Sequence, residues 1–477
     1  LVGALFWTLA SRLSIQFFSF LRVVILARIL TPYDFGISAS TFIAYQLLEM
    51  LTFTGFTTAL TAYKGNFKEG YPTIFWTSLF RGVILFFILF TFSDSIGEFF
   101  KDGNVSFAVK VIALSFIPSS ITNPVFIVEA NRFFKFEKIF ILEFSEALIN
   151  TVFAVLMGLY FKDFRAMIYS FLIGAFAKMF ISYILRPYFP ELSFSFAWFK
   201  RMLSFGIWVN LTFVLNFLLR YADRTLVGKF SGQYLLGIYS NAQNLAFLVA
   251  PQLSSMISRV LFPFFVVSSV DETERAFLSY MRASLLVGLT FFAPMFFWSE
   301  GVIRLILGEK WMEAAELLKP LSLASIISII SNTISPLSQG KGKPNLDVYR
   351  LAIIPLVFLS LSLLNPKSPL WISWCLTFGY LSSLPIWYFG VSSLGIRSHR
   401  ILLSLFPLIF SIFLPFLFPE GIIRILASIF SFLLSEFLIF KNIGIFEVFK
   451  LKIPNPQLPQ NLHLIRTYVL YCPLSEL

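Results

Sequence analysis

Asn216, Arg220 and Asp223 lie within one long apolar run at i, i+4 and i+7, which puts all three on one helix face. A charge near the centre of a bilayer costs roughly 3 kcal/mol or more and marks a cavity, a partner or a substrate path. Pairing between Arg220 and Asp223 is an alternative, as is a head group of Arg220 that reaches the interface. The first apolar run repeats the pattern: Arg12, Gln16 and Ser19 share a face, with Arg22 at its edge. Arg12 suits the cytoplasmic interface as well as a cavity. The second run adds Gln46 and Glu49, and the eighth adds Asn241, Gln243 and Asn244. These residues are the candidates for lining a central cavity. Glu49 is a candidate proton or cation site, because low dielectric favours the neutral carboxyl; its structural alternative is pairing with Arg12 or Arg22. Glu143, Glu146 and Lys178 sit nearer helix ends and receive no role. Tyr45, Trp208 and Tyr239 are able to stack on sugar rings, but in a chain with 62 Phe an aromatic is by default packing. Two histidines and two cysteines exclude a His/Cys metal cluster, a disulfide framework and a CxxC redox pair. No metal and no cofactor is expected.

The elements that position these groups follow from composition. Of 477 residues 57% are hydrophobic and only 13% charged, about half the charge of an ordinary soluble domain. Fourteen apolar runs lie near 5–28, 36–60, 73–93, 106–128, 139–160, 166–186, 203–228, 235–260, 279–299, 317–338, 349–365, 370–390, 401–418 and 421–440, each near the length of a membrane-spanning helix. The eleventh and thirteenth, interrupted by Pro355 and by Pro407 and Pro415, leave twelve spans as the alternative. Position 1 is Leu, so residues before it are expected; the first run carries Arg12 and Arg22 and reads as a mature helix rather than a cleaved leader. Even-numbered connections hold 16 Lys and Arg against 11 in odd-numbered ones, which places both termini in the cytoplasm. The net charge of +12 is spread over these short connections, so it reads as membrane orientation and not as a nucleic-acid surface. The expected fold is an all-α polytopic membrane protein. Residues 1–190 form one six-helix lobe and 201–390 a second, 400–440 an additional helix pair, and 441–477 a surface-lying or disordered cytoplasmic tail.

The two lobes read as copies of one unit. The stretch 26–37 after the first helix resembles 226–238 after the seventh, with one insertion, and both Trp7/Trp208 and Gly36/Gly237 are 201 residues apart. Six helices per copy make the repeats parallel, related by an axis along the membrane normal. At that offset Arg22 corresponds to Asp223, so an ion pair across the repeats is expected.

The stretch Leu26 to Gly36, the segment from Tyr221 to Gln243 and Val260-Leu-Phe-Pro-Phe-Phe265 together resemble the polysaccharide-export flippases, Wzx-type and teichuronic-acid-exporter-like, of the multidrug/oligosaccharidyl-lipid/polysaccharide superfamily. Arg28, Leu30, Pro32, Phe35 and Gly36 match the first signature, with Ile29 in place of the commoner Leu, and Asp223, Arg224, Gly228, Leu236, Gly237, Tyr239 and Ala242 match the second. The resemblance covers residues 1–345 and fades in the last four helices. It implies a V-shaped transporter of two six-helix lobes with alternating access, in the bacterial cytoplasmic membrane. The implied substrate is an undecaprenyl-pyrophosphate-linked sugar repeat, moved from the inner to the outer leaflet, with a polymerase and glycosyltransferases as pathway partners. Arginine suits the pyrophosphate, and Arg12, Arg22 and Arg220 fit that role in kind. By the same resemblance the last two helices are candidates for a groove that takes the polyprenyl tail. Pro32 and Gly36 read as turn and close-approach residues.

Two other readings remain. A drug/cation antiporter of the same superfamily calls for an acidic cavity, whereas the buried set here is rich in arginine. A membrane glycosyltransferase, polymerase or ligase calls for a catalytic carboxylate or histidine in a sizeable external loop, and only Asp34 and Asp94, both in ordinary turns, present themselves. Gly340-Lys-Gly-Lys343 is a basic turn and not a nucleotide-binding loop.

Overall fold

The computed structural model describes residues 2–51, 56–63, 65–248, 261–397 and 399–402, with isolated positions between 405 and 434. Among these residues the regular elements are helical. They run α1 (Val2–Ile29), α2 (Pro32–Leu51), α3 (Phe56–Ala62), α4 (Tyr71–Thr91), α5 (Ser93–Phe99), α6 (Gly103–Ala113), α7 (Phe116–Ile121), α8 (Pro124–Arg132), α9 (Phe136–Phe161) and α10 (Arg165–Leu185). There follow α11 (Phe196–Ser231), α12 (Gln233–Ala246), α13 (Val270–Phe297), α14 (Ser299–Ile306), α15 (Ala314–Asn332), α16 (Ile334–Gly340), α17 (Asn345–Ser362) and α18 (Pro369–Ser393). Among the described residues eight helical stretches are long and apolar enough to cross a membrane by themselves. This is a multi-pass all-α membrane protein. The expected spans at 401–418 and 421–440 and the tail at 441–477 lie outside the described residues, apart from the isolated positions.

Local chemistry explains the breaks. The signature after α1 is a helix start: the Thr31 backbone N–H and hydroxyl donate to Asp34 Oδ2 at 2.9 and 2.5 Å, with Pro32 in the first helical position. Asp34 Oδ1 also accepts from the Phe164 N–H at 3.0 Å, so one carboxylate ends two helices, α2 and α10. The fourth expected span is three short helices, α6 to α8, because Pro118 and Pro124 cannot donate to a continuous ladder. The ninth expected span starts earlier than its apolar run: a capping box of Ser269 and Glu272 opens α13 at Val270, and Arg282 is drawn into the helix and buried. α11 spans 36 residues, or about 54 Å at 1.5 Å per residue, well beyond the hydrocarbon thickness.

The described chain divides into two compact units. The first comprises Leu1–Asn241, Arg304–Glu313 and Pro366–Pro369. Its core gathers Ile37, Leu85, Val109, Phe116, Ile168 and Phe217, and α1 lies along α9, joined by Trp7 on Phe140 at 5.2 Å and Phe18 on Phe144 at 5.4 Å. The second comprises Ala242–Ile303, Ala314–Asn365 and Leu370–Leu477. Its core packs Phe265, Phe277, Met281, Leu289, Ile330 and Trp387.

Within the first unit the 201-residue repeat appears as geometry. A Cβ on Gly36 would lie 1.8 Å from the Gln233 carbonyl oxygen, and a Cβ on Gly237 would lie 1.8 Å from the Pro32 carbonyl oxygen. Residues 32 and 36 correspond to 233 and 237, so these two contacts are mates about a local two-fold axis where α2 and α12 cross. Only glycine permits that approach. The repeat also extends to α5 and α14, one short helix after the third span of each copy.

Candidate functional site

Placement of the candidate residues divides them into engaged and free. Arg22, on α1, donates from Nη1 to Asn150 Oδ1 on α9 at 2.7 Å. Asp223 is 1% exposed and accepts the Tyr239 hydroxyl of α12 at 2.8 Å and the Arg224 N–H at 2.8 Å. The ion pair expected between Arg22 and Asp223 is therefore not formed: a neutral amide takes the guanidinium, and a motif tyrosine takes the carboxylate. Glu49 pairs with neither Arg12 nor Arg22; Arg81 of α4 holds it at 3.0 Å and also reaches the Glu49 carbonyl at 3.2 Å. Gln16 is half-buried on α1, and Asn244 is exposed on α12. The side chain of Asn216, on α11, lies outside the described residues. Asn241 is 1% exposed, and neither its amide nitrogen nor its oxygen has a partner among the described residues. Arg12 and Arg220 are exposed, with no partner among the described residues.

Other charged groups in the spans are matched with one another. Lys178 of α10 pairs with Glu146 of α9 at 2.7 Å, and Ser11 of α1 donates to Glu143. In the second unit Arg350, 1% exposed, is held by Asp347 at 2.6 Å and by Ser331 and Asn332 at 3.0 and 3.1 Å. Arg350 and Arg282 stand near the starts of the eleventh and ninth apolar runs and count with the adjoining connections in the charge sum; burial of both, with Asp347 three residues before Arg350, makes them interior groups instead. The i, i+3 spacing was the available signal for that pair.

Outside the spans, Glu129 receives the fork of Arg186 at 2.8 and 3.1 Å and the Tyr71 hydroxyl at 2.9 Å. Burial works to raise its carboxyl, and the Arg186 and Tyr71 bonds outweigh it and hold the group below the ordinary carboxylate range. The network fixes the start of the 186–195 connection against α4 and α8. Asp94 and Asp34, the two carboxylates an enzyme reading needs, are likewise occupied: Asp94 by Lys110 at 2.8 Å and by Ser106, Asp34 as a double helix cap.

Among the described residues Glu49 and Glu146 are paired with cations while Arg12 and Arg220 have no partner, on an all-helical frame that known proteins share. Among solved structures the chain is similar to a lipid II flippase MurJ in an inward closed conformation, with TM-score 0.65 and 16% identity over 91% of this chain and 99% of that one. It is also similar to an inward-facing multidrug resistance MATE family transporter, with TM-score 0.65 and 14% identity over 80% of this chain and 94% of that one. These likenesses establish the fold. In sequence it is 26% identical to an uncharacterized membrane protein of the cps region of Klebsiella pneumoniae, over 72% of this chain and 71% of the relative. It is 23% identical to the lipopolysaccharide biosynthesis protein WzxC of Escherichia coli, over 72% and 70%. It is also 23% identical to the teichuronic acid biosynthesis protein TuaB of Bacillus subtilis, over 72% of each. The profile of the family described as polysaccharide biosynthesis protein matches residues 25–316, a stretch that runs from the Thr31–Gly36 helix start through the Asp223–Tyr239 tie and covers more than half of the chain. The chain belongs to the polysaccharide biosynthesis protein family.

Proposed function

We propose that this protein is a flippase that carries an undecaprenyl-pyrophosphate-linked oligosaccharide repeat unit from the inner to the outer leaflet of the bacterial cytoplasmic membrane, by alternating access, for surface polysaccharide synthesis. The observation that carries the reading is the contrast between its free and its paired charges. Arg12 and Arg220, on the lead helices of the two repeats, are exposed and without a partner among the described residues, while Glu49 and Glu146 are neutralised by Arg81 and Lys178. A guanidinium facing lipid is costly, so a free one on a spanning helix calls for water or an anion. A pyrophosphate provides two phosphoryl groups for the planar fork of Arg. A drug/cation antiporter calls for the opposite, acids left free in the path.

Under this proposal both termini are cytoplasmic, the 1–190 and 201–390 lobes rock about the path, and the protein performs transport without a chemical step of its own. Membrane lipids surround it, and polymerase and glycosyltransferases of the same pathway are its working partners. Gln16, Asn216 and Asn244 are assigned to sugar hydroxyls, Arg22 and Glu49 to the path through their polar partners, and Asp223 to the support of Arg220. The deciding experiment is the leaflet exposure of lipid-linked glycan in cells lacking the protein and every other flippase of that pathway, restored with the native chain, Arg220→Ala or Arg220→Lys. Inner-leaflet accumulation relieved by the native chain, poorly by Arg220→Ala and partly by Arg220→Lys is expected. Normal outward exposure without the protein overturns the proposal.

A further inference from the structure

α2 and α12 cross near their N-terminal ends, the ends that the charge pattern is expected to put outside. The glycine pair brings the two backbones together, and the Ser40 hydroxyl donates to Gln233 Oε1 at 2.7 Å, with Gln233 Nε2 donating to the Phe100 carbonyl at 3.3 Å. A strap from the second repeat covers the same place. Trp311 donates its indole N–H to the Ala27 carbonyl at 2.9 Å and packs edge-on against Phe35 at 5.0 Å. Lys310 donates to the carbonyls of Arg28, at 3.2 Å, and Leu30. Arg28 in turn donates to the Leu305 carbonyl at 2.9 Å.

The local two-fold is broken at one point. Ser40 corresponds to Asn241, and Ser40 finds Gln233. The position that corresponds to Gln233 is Pro32, which has neither a side-chain acceptor nor an N–H. Asn241, one helical turn beyond Gly237, is thus buried with both amide atoms lacking a partner among the described residues. A buried amide without partners disfavours the arrangement that buries it.

We propose that this crossing is the outer gate of the transporter, that Lys310 and Trp311 latch it shut, and that Asn241 keeps it openable because its amide is satisfied only when α2 and α12 part. The inference rests on the flippase reading and adds two residues with opposite effects on one equilibrium. Leucine at 241 removes the unpartnered amide at similar volume and holds the gate closed. Methionine at 310 keeps the apolar stem but loses both donated bonds, and opens it. Each change shifts the open population by about tenfold, the scale of one buried polar group gained or lost.

The test uses the full chain with Cys375→Ala, Cys472→Ser and Ser40→Cys, in intact cells, with a membrane-impermeant maleimide added from outside. Ser40 is fully buried in the closed crossing, so its labelling rate reads opening. Asn241→Leu is expected to slow labelling about tenfold and Lys310→Met to speed it about tenfold, relative to the Ser40→Cys background. A general loss of structure speeds labelling in both, so slowing by Asn241→Leu is not a folding artefact. Equal rates in background and Asn241→Leu overturn the role of Asn241, and no labelling in any variant overturns the gate. Glycan exposure in the same cells reads the flippase function separately: export with a crossing that never labels removes the gate alone, and labelling without export removes the flippase reading alone.

Discussion

Alanine at Gly36 sets a clash against a propensity, and the geometry decides the sum. The added methyl forces the Gln233 carbonyl to retreat by about 1.2 Å, from 1.8 Å to the 3.0 Å that real Cβ contacts respect. Forced separation of packed backbones costs about 2 kcal/mol, and stretching the 2.7 Å Ser40–Gln233 bond by a similar amount forfeits about 1 kcal/mol more. Helix propensity returns about 1 kcal/mol on exchanging Gly for Ala, leaving a net destabilisation of about 2 kcal/mol. By the local two-fold, Gly237→Ala against the Pro32 carbonyl costs the same. Both clashes are relieved by one movement of α12 from α2, so the second alanine meets no further barrier and contributes only its propensity. The double variant is therefore expected to be less destabilised than either single one, by about 1 kcal/mol, which makes the coupling about 3 kcal/mol, the upper end of what touching residues show. Reversible unfolding of the purified protein in mixed detergent micelles, run as a double-mutant cycle, measures this. Additive losses, or single substitutions without cost, refute the reasoning.

Further outcomes follow from other contacts. Asp34→Ala strips a cap from both α2 and α10 and leaves the Phe164 N–H unpaired, for an expected loss of about 3 kcal/mol in the same unfolding measurement. Asp347→Ala leaves the Arg350 guanidinium buried without its carboxylate and is expected to cost about 4 kcal/mol, with recovery of most of it in Asp347→Ala/Arg350→Met. The depressed carboxyl of Glu129 contributes stability that is fully present above the ordinary glutamate value of 4.5 and is lost as pH falls through the lower folded value. Glu129→Gln should therefore flatten the acid limb of the stability profile below that value while leaving its shape above it unchanged.

Much of the fold was legible because the bilayer demands long apolar runs, and twelve of the fourteen expected runs fall wholly or in part on described helices. The repeat was legible in two glycines and two tryptophans, and the glycines proved to be the contact itself. Side-chain partners were harder to read. Arg22 with Asn150 and Glu49 with Arg81 join residues 128 and 32 apart in sequence, and spacing along one helix carries no record of such pairs. The offset that aligns Arg22 with Asp223 was misleading as a contact, because Asn150 of α9 takes the guanidinium and Tyr239 of α12 the carboxylate, and a repeat relation says nothing of which third helix lies beside each residue. Arg282 and Arg350 were hidden because each stands near the start of its apolar run, where a basic residue reads as part of the adjoining connection; the helices begin earlier, at Val270 and Asn345, and draw both inside.

Lys310 and Trp311 fill carbonyls at the end of α1 from a place 280 residues later in the chain. Synthesis at 5–20 residues per second separates the two by about a quarter of a minute to a minute. During that interval the first helix stands in the membrane with its terminal carbonyls served only by water or lipid head groups, and its neighbours assemble around an unfinished end. Biogenesis is thus ordered: the helices of the first copy insert early, and the segment after α14 completes the end of α1. Two separately expressed fragments cut near residue 190 would have to find each other before either was finished, and a nascent chain arrested before residue 310 would present quality-control proteases with an exposed helix end that the complete protein conceals.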